Sequence, residues 1–496
     1  MSSASPLLPE ETPRPHGVVA IAALLAGHDA RAAESELAAA LRPPCSLRPA
    51  AAAAAALMVL AAFVVAGHCY RLRYSEEAAV RPLSGEGGAS FLLPLYAKAC
   101  VMSAAEKSTA VVPERQYYTS INIGNPPRPY FLDIDTGSDF TWIHCDAPCT
   151  NCTKGPHPVY KPTEGKIVHP RDPLCEELQG NQNYCETCKQ CDYEITYADR
   201  SSSKGVLARD NMQLTTADGE MKNVDFVFGC AHNQQGKLLD SPTSTDGILG
   251  LSNGAISLST QLANSGIISN VFGHCMATDP SSGGYMFLGD DYVPRWGMTW
   301  VPIRNGPGNV YSTEVPKVNY GAQELNLRGQ AGKLTQVIFD SGSSYTYFPH
   351  EIYTNLIALL EDASPGFVRD ESDQTLPFCM KPNVPVRSVG DVEQLFNPLI
   401  LQLRKRWFVI PTTFAISPEN YLIISDKGNV CLGVLDGTEI GHSSTIIIGD
   451  ASLRGKFVVY DNDENRIGWV QSDCTRPQKQ SRVPFFLSRA LLNQLP

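Results

Sequence analysis

The 496-residue chain has little basic charge, with 40 Lys and Arg against 51 Asp and Glu and a net charge of −11. Nucleic-acid phosphates require a basic protein face, so this balance argues against nucleic-acid binding. Long stretches with helical period are also scarce between residues 113 and 475, which argues against a predominantly α-helical fold.

The same region consists of short runs rich in Val, Ile, Tyr, Phe and Thr, separated by Gly, Pro, Asn and Asp. This pattern is typical of β-strands joined by turns. Two brief helices are predicted, from Ser257 to Ala263 and from Glu351 to Glu361. With 43% hydrophobic residues, a chain of this length can bury more than one core. We therefore expect a mostly β protein with two or more lobes.

Two tetrapeptides that begin 205 positions apart nearly repeat each other: Asp135-Thr136-Gly137-Ser138 and Asp340-Ser341-Gly342-Ser343. Each follows an apolar, strand-like run. Each Gly permits a tight turn directly after the carboxylate, and each hydroxyl can donate to a carboxylate oxygen. One such tetrapeptide is an ordinary turn sequence. Two in matched contexts indicate a shared role.

A second pair of elements extends this repeat. Gly250 ends an apolar run 115 positions after Asp135, and Gly449 follows the apolar run 446–448 at 109 positions after Asp340. So long a period is not that of a solenoid, whose units are about 20 to 50 residues. The spacing predicts a duplicated domain with a mostly β, bilobal fold, in which each lobe supplies one carboxylate to a shared cleft.

Two carboxylates that face each other do not both ionise readily, so one keeps a proton and the other acts as a base. The ionised Asp can take a proton from a water between them while the protonated Asp donates to a substrate carbonyl. Water then becomes the nucleophile without a metal or a covalent intermediate, which predicts amide hydrolysis. The coupling leaves open whether Asp135 or Asp340 holds the proton. Asp133 shares a strand face with Asp135 but does not head the turn, so we interpret it as structural.

The N-terminal region contains an uncharged, mainly apolar stretch over residues 50–67. This stretch is just long enough for a membrane-spanning helix. Because residues 1–49 precede it, a signal anchor over 50–68 is favoured over a cleaved signal peptide, and 1–49 become a disordered cytosolic tail. Two alternatives are a signal peptide made from an internal start at Met58 and an Ala-rich segment too weakly apolar to stay in lipid.

Twelve of the 15 cysteines lie in the predicted lobes: Cys145, Cys149, Cys152, Cys175, Cys185, Cys188, Cys191, Cys230, Cys275, Cys379, Cys431 and Cys474. An even number after an export-like segment points to disulfides in an oxidising compartment. The folded region is therefore expected on the lumenal or extracellular side of a membrane, or secreted. The two-residue gaps also suit structural zinc, which is the alternative. Asn151 begins a glycosylation sequon with Cys152 at its centre, so its occupancy stays open.

Residues 113–475, with these paired motifs, resemble a pepsin-like aspartic protease, most closely the plant nucellin-type and nepenthesin-type branch. Trp142, four positions after Ser138, matches a tryptophan that the family has after its first motif. Tyr197 falls where the family has its flap tyrosine. In the family the flap is a hairpin that closes over the peptide, and the Trp holds the Tyr hydroxyl. The resemblance implies a monomeric endopeptidase that needs no cofactor and cleaves peptides or proteins between bulky apolar residues.

The resemblance also implies roles and boundaries for parts of the chain. Asp135 and Asp340 become catalytic, and substrate is positioned by Tyr197, Trp142, Thr136, Gly137, Ser138, Ser341, Gly342 and Ser343. Cys379 with Cys431 resembles the second-lobe disulfide. The N-terminal lobe is expected over 113–295, the C-terminal lobe over 296–475, and a basic tail over 476–496. Residues 69–112 are expected to be a stem or a short prosegment, with an extra strand from Phe91 to Tyr96.

The flap departs from the family pattern at two positions. Where the family usually has Gly directly after the flap Tyr and again two positions later, this chain has Ala198 and Arg200. A charged Arg200 near the cleft mouth would favour acidic substrate residues. The alternative is an outward-facing hairpin arginine, the usual state of a charged side chain.

Two other function classes remain as hypotheses. One is a catalytically silent binding protein of the same fold, like the xylanase inhibitors and seed globulins that resemble these proteases. Those relatives generally lose a catalytic Asp or its Gly, whereas this chain keeps both tetrapeptides. The other is a zinc-stabilised or nucleic-acid-associated factor built on the clustered cysteines, which the acidic charge and the export-like segment disfavour.

Overall fold

The computed structural model describes residues 88–98, 116–147, 155–179, 188–239, 245–304, 307–325, 335–363, 366–403 and 412–479. The predicted cytosolic tail, the anchor over 50–68, Asn151 and the basic tail beyond residue 479 lie outside these ranges. Cys149, Cys152 and Cys185 lie outside them as well. Among the described residues, no helix has the length and apolar character needed to cross a bilayer.

The fold is built mainly from β-strands. In chain order the strands are β1 (Phe91–Ala97), β2 (Tyr117–Ile123), β3 (Arg128–Asp135), β4 (Trp142–His144), β5 (Asp192–Thr196), β6 (Ser202–Thr215), β7 (Met221–Gln235), β8 (Gly247–Gly250), β9 (Val271–Met276), β10 (Gly284–Leu288), β11 (Thr299–Pro302), β12 (Ser312–Val315), β13 (Lys317–Tyr320), β14 (Gln323–Leu325), β15 (Thr335–Phe339), β16 (Thr346–Phe348), β17 (Phe367–Arg369), β18 (Cys379–Pro382), β19 (Leu399–Leu403), β20 (Thr412–Ile416), β21 (Leu422–Ile424), β22 (Val430–Leu432), β23 (Val434–Asp436), β24 (Thr445–Ile448), β25 (Lys456–Asp461) and β26 (Arg466–Gln471). The α-helices of the described residues are α1 (Pro173–Gln179), α2 (Leu258–Asn264), α3 (His350–Ala363) and α4 (Asp450–Leu453). The mostly β prediction is confirmed.

Both predicted helices are present with ends shifted by one or two residues. Helix α2 begins after Ser257, whose side chain accepts a hydrogen bond from the backbone N–H of Thr260 and so caps the first turn. Helix α3 follows Pro349, which has no backbone N–H to lose at a helix start. The order of strands and helices therefore agrees with the pattern of apolar runs and turn residues.

One long sheet runs through the molecule in the order β11-β26-β25-β9-β10-β1-β2-β3-β8-β4-β7-β6-β5. Its first six strands include elements from both ends of the sequence, and the rest belong to the first half. The second half adds the sheets β12-β15-β24-β16-β23, β14-β13-β19-β20 and β17-β18-β22-β21. The predicted strand near Phe91 is confirmed as β1, which pairs with β10 on one side and β2 on the other.

The two halves repeat one arrangement of four strands around each Asp motif. In the first half β3 pairs with β8 in parallel, β4 pairs with β8 antiparallel, and β4 pairs with β7 in parallel. In the second half β15, β24, β16 and β23 repeat these three pairings in the same order. The duplication inferred from the spacing of the motifs is thus present in the strand topology.

Strand alternation buries the approach to each motif. Tyr130, Leu132 and Ile134 of β3 are at most 2% exposed, while the intervening residues of the strand are only half-buried. On β15, Val337 and Phe339 are fully buried. Burying an apolar side chain of this size contributes about 1.5 to 3 kcal/mol, so both strands are anchored in the core immediately before their acids.

Candidate active site

The carboxylate of each motif is held by its own turn in the same way. Gly137 N–H donates to Asp135 Oδ1 at 2.9 Å, and the Ser138 hydroxyl donates to Asp135 Oδ2. Around Asp340, Gly342 N–H donates to Oδ1 at 2.9 Å and the Ser343 hydroxyl donates to Oδ2 at 2.7 Å. Each acid therefore has both oxygens oriented by the residues that follow it.

The two carboxylates lie against each other's glycines. A Cβ atom added at Gly137 would lie 2.5 Å from Asp340 Oδ1, and one added at Gly342 would overlap Asp135 Oδ1. Any side chain at either glycine would therefore displace the opposite acid. The two acids, from separate halves of the chain, meet as the sequence predicted.

Crossed hydrogen bonds lock the two motifs together beneath the acids. Thr136 N–H donates to Ser341 Oγ at 3.1 Å, and Ser341 N–H donates to Thr136 Oγ1 at 2.9 Å. The Thr136 hydroxyl donates to the Phe339 carbonyl at 2.9 Å, and the Ser341 hydroxyl donates to the Ile134 carbonyl at 3.0 Å. Because both hydroxyls are buried, these bonds are not in competition with water, and they fix the separation of the two turns.

Burial and a neighbouring charge change the pKa of Asp135. Burial, and then the negative charge of Asp340, raise the pKa of Asp135 to about 7, although hydrogen bonds from Ser138 and Gly137 act in the opposite direction. Asp135 is 6% exposed, which explains why loss of water is the larger cause. In mildly acidic solution the Asp135 carboxyl therefore keeps its proton.

A hairpin brings a tyrosine within electrostatic range of Asp135. Strands β5 and β6 form the hairpin, and Tyr197 lies where the turn begins. Trp142 Nε1–H donates to the Tyr197 hydroxyl oxygen at 2.8 Å, as the family resemblance implies. Burial, and then the charge of Asp135, raise the pKa of Tyr197 well above its usual value. The hydroxyl therefore stays protonated close to the acids and can donate its own hydrogen.

The turn of the hairpin has an uncommon backbone at Arg200. Arg200 has a φ of 68°, in the left-handed region that favours glycine. Its N–H donates to the Tyr197 carbonyl at 2.9 Å, and Asp199 accepts hydrogen bonds from the backbone and hydroxyl of Ser201. The Arg200 side chain is exposed, which favours the outward-facing interpretation over a contact with substrate.

The family is established by comparison with known proteins. Residues 117–290 match the family described as xylanase inhibitor N-terminal, and residues 310–471 match its C-terminal counterpart. An aspartic proteinase of rice (Oryza sativa subsp. japonica) is 37% identical over 388 residues, which cover 75% of this chain and 92% of that protein. The chain belongs to the pepsin-like plant aspartic proteinases. It is an aspartic-type endopeptidase, a hydrolase of peptide bonds.

Other comparisons agree with this family. Aspartic proteinase 39 of Arabidopsis thaliana is 28% identical over 376 residues, covering 72% of this chain and 74% of that protein. Among solved structures, the basic 7S globulin of soybean superposes with a TM-score of 0.59 at 18% identity, covering 78% of this chain and 97% of that one. Conglutin gamma of lupine gives 0.58 at 18% identity, with 78% and 95% coverage. These two structures show the shared fold.

Disulfides in this aspartic proteinase account for most of the described cysteines. The pairs are Cys145–Cys230, Cys175–Cys191, Cys275–Cys474 and Cys379–Cys431. Cys188 is disulfide-bonded as well. The Cys379–Cys431 pairing agrees with the family resemblance. Zinc is bound by cysteine thiolates, and sulfurs joined in a disulfide are not thiolates. These cysteines therefore do not form the zinc site considered as the alternative.

One described cluster combines cysteine and acid as a metal site would. It consists of Asp373, Cys379 and Cys431. The two sulfurs are joined to each other, and Asp373 accepts hydrogen bonds from Ser425 and Thr375. These bonds, outweighing burial, lower the pKa of Asp373 to about 2. The cluster is therefore a disulfide beside a hydrogen-bonded aspartate in the second lobe.

Asp133 is structural, as the sequence predicted, but its partner was missed. Asp133 Oδ2 accepts hydrogen bonds from Lys98 Nζ and from the Thr245 hydroxyl, both at 2.7 Å. Lys98 lies in the segment that was expected to be a stem or prosegment. An acid inside an apolar strand indicates that a cation or hydrogen-bond donors lie beside it, since removing an unpaired charge from water is costly. The sequence does not say which Lys or Arg supplies the cation.

Proposed function

We propose that Asp135 and Asp340 are the catalytic dyad of this aspartic endopeptidase. The observation that carries the proposal is the mutual packing of the carboxylates, each against the glycine of the opposite motif. The raised pKa of Asp135 gives the pair the single shared proton that the chemistry needs.

The steps of hydrolysis follow from this arrangement. Asp340 takes a proton from water, whose oxygen forms a bond to the carbonyl carbon of the scissile amide. Asp135 gives its proton to the carbonyl oxygen, which produces a neutral tetrahedral diol. The C–N bond then breaks as one carboxyl transfers a proton to the leaving nitrogen, and a diol hydroxyl returns its proton to the other. No covalent intermediate with the enzyme forms.

The remaining site residues hold and cover this pair. Thr136 and Ser341 fix the separation of the turns, and Ser138 and Ser343 orient the carboxylates. Tyr197, held by Trp142, covers the dyad from the hairpin. A closed hairpin excludes water from the cleft, which strengthens the electrostatic effect of the dyad on the substrate carbonyl.

The test is peptide hydrolysis by the full chain from acidic to neutral pH, with a statine-type inhibitor as probe of the dyad. We expect the inhibitor to block hydrolysis. Asp135→Asn and Asp340→Asn should each slow turnover by about a thousandfold or more, since each removes one of the two proton-transfer groups. The exposed Asp426→Asn is the matched control and keeps full activity. Hydrolysis that survives Asp340→Asn, or ignores the inhibitor, contradicts the proposal.

The catalytically silent alternative has less support. Both tetrapeptides are complete, and no side chain at Gly137 or Gly342 intrudes between the acids. The intact dyad favours an active enzyme over a binding protein.

The nucellin-type and nepenthesin-type branch, and a preference for bulky apolar residues on both sides of the cleaved bond, are part of the proposal. They rest on the sequence resemblance around Trp142 and Tyr197. Cleavage of a peptide library, read by mass spectrometry, tests the preference. Dominant cleavage beside charged residues would contradict it.

We further propose a monomer anchored by residues 50–68, with the protease region on the lumenal or extracellular side. The apolar stretch supports an anchor, and the disulfides support an oxidising compartment. Carbonate extraction of membranes with protease protection tests both points. Release of the full-length chain by carbonate, or digestion of the protease region from the cytosolic side, would contradict them.

A further inference from the structure

A polar bridge of four residues, Lys98, Gln116, Asp133 and Gly342, runs from one Asp motif to the other. Lys98 Nζ donates to Asp133 Oδ2 at 2.7 Å and to Gln116 Oε1 at 3.1 Å. Gln116 Nε2 in turn donates to the Gly342 carbonyl at 3.0 Å. These three hydrogen bonds form an unbroken chain between the two halves of the protein.

Both ends of the polar bridge adjoin the dyad. Asp133 lies two residues before Asp135 on β3. Gly342 lies two residues after Asp340, and its backbone packs against Asp135 so closely that a Cβ atom would overlap Oδ1. A shift of the Gly342 peptide therefore changes the contact between the second motif and the first acid.

The chemistry of the groups fixes the orientation of the Gln116 amide. An ammonium group only donates hydrogen bonds and a peptide carbonyl only accepts them. Gln116 must then point Oε1 at Lys98 and Nε2 at Gly342, as it does. Reversing the amide would break both bonds, so Gln116 transmits the position of Lys98 to the Gly342 carbonyl.

The ion pair at the start of the polar bridge joins a buried Lys98 to a half-buried Asp133. The side chains of Lys98 and Asp133 are 4% and 15% exposed. A pair shielded to this extent is screened less by water than a surface pair. The second motif has Ile338 at the position that corresponds to Asp133, so this polar support is present on one side of the repeat only.

We propose that Gln116 and Lys98 are positioning residues for the dyad. Through the Gly342 carbonyl they hold the second motif at its working distance from Asp135. This inference rests on the proposed catalytic role of the two acids. Neither residue donates or accepts a proton in the reaction.

The substitution Gln116→Glu tests the inference because it removes the hydrogen donated to the Gly342 carbonyl at neutral pH and restores it when the new carboxyl is protonated. At pH 6.5 the carboxylate still accepts from Lys98 but faces the Gly342 carbonyl without a hydrogen. We expect kcat about tenfold below wild type there, the cost of one unsatisfied hydrogen bond. At pH 3.5 the protonated carboxyl donates again, and kcat relative to wild type recovers to within about threefold. The charged groups that face this position are Lys98 and Asp133, with the dyad beyond Gly342.

Gln116→Met is the paired variant, since it has no donor at any pH. Its kcat relative to wild type stays low and flat across the same range. Gln402→Glu is the matched control, because Gln402 is also half-buried and donates to Asn319 but lies on β19. Its kcat stays at the wild-type value at both pH values. Titration with the statine-type inhibitor counts folded active sites, so each kcat is expressed per working enzyme.

Removing Lys98 alone would leave the half-buried Asp133 carboxylate without its cation and risks unfolding. The double variant Lys98→Met with Asp133→Asn avoids this charge, and we expect it to fold with kcat lowered about tenfold and little change in KM. The proposal is overturned if the Gln116→Glu to wild-type ratio does not change with pH, or if both Gln116 variants equal wild type. An inactive wild type, or an active Asp340→Asn, would instead contradict the proposed function itself.

Discussion

Replacing Asp135 with asparagine should make the folded protein more stable than wild type as the pH rises, even though it removes activity. The pKa of the Asp135 carboxyl is raised from its ordinary 3.8 to about 7 by burial and by the charge of Asp340. Between these values the unfolded chain has released this proton and the folded protein still holds it. The wild type therefore loses stability as the pH rises from about 4 to 7, and the asparagine variant does not lose this part.

The size of the effect follows from the same two values. They differ by about three pH units, and each unit corresponds to about 1.4 kcal/mol, so the expected gain of Asp135→Asn over wild type reaches about 4 kcal/mol near pH 7. With an unfolding entropy of about 2.1 cal/mol/K per residue, this is a rise of about 5 °C in Tm relative to wild type. Near pH 3.5 the carboxyl is largely protonated in both the folded and the unfolded chain, and the gain falls close to zero.

The assay is thermal unfolding by circular dichroism at pH 3.5, 5 and 7 for wild type, Asp135→Asn and Asp340→Asn. The exposed Asp426→Asn serves as the control, and its difference from wild type should not change over this range. Because burial is the larger cause, Asp340→Asn should keep part of the pH dependence of wild type. An Asp135→Asn curve parallel to wild type at all three pH values would refute the reasoning.

Three further outcomes are expected. Gly342→Ala should lower kcat by about a hundredfold, because its methyl group would displace Asp135 by a substantial part of an ångström, and peptide assays with inhibitor titration check this. Tyr197→Phe removes the partner of Trp142 Nε1 and should lower kcat/KM about fivefold, the equivalent of one hydrogen bond of about 1 kcal/mol, with the global Tm unchanged. Arg200→Gly relieves a left-handed backbone and should stabilise the hairpin turn by up to about 1 kcal/mol, seen as slower amide exchange there. Faster exchange in that variant would show that the turn is not strained.

The two acid motifs could be predicted because their information is local. Asp, Gly and a hydroxyl in four consecutive residues specify a turn that holds a carboxylate, and the turn is found twice with nearly the same geometry. The apolar runs beside Asp135 and Asp340 likewise specify strands. Duplication then allowed one motif to support the interpretation of the other.

The long-range partners could not be predicted in the same way. Cys275 pairs with Cys474 across 199 positions, and with 12 cysteines the spacing alone leaves many pairings open. Lys98 was expected in a stem or prosegment, yet it lies against Asp133. The sequence alone does not tell which Lys or Arg meets that acid. The left-handed backbone conformation of Arg200 could not be predicted either, because arginine rarely adopts a positive φ.

Strand β1 would keep the N-terminal part of the chain attached after proteolytic cleavage behind it. It pairs over Phe91–Leu95 with β10 and over Tyr96 and Ala97 with β2, and Phe91 is fully buried. Scission of the chain between residues 98 and 116 would therefore not release the preceding piece, which two hydrogen-bonded ladders would retain. A molecule nicked there would run as two bands on a denaturing gel and as one particle in gel filtration.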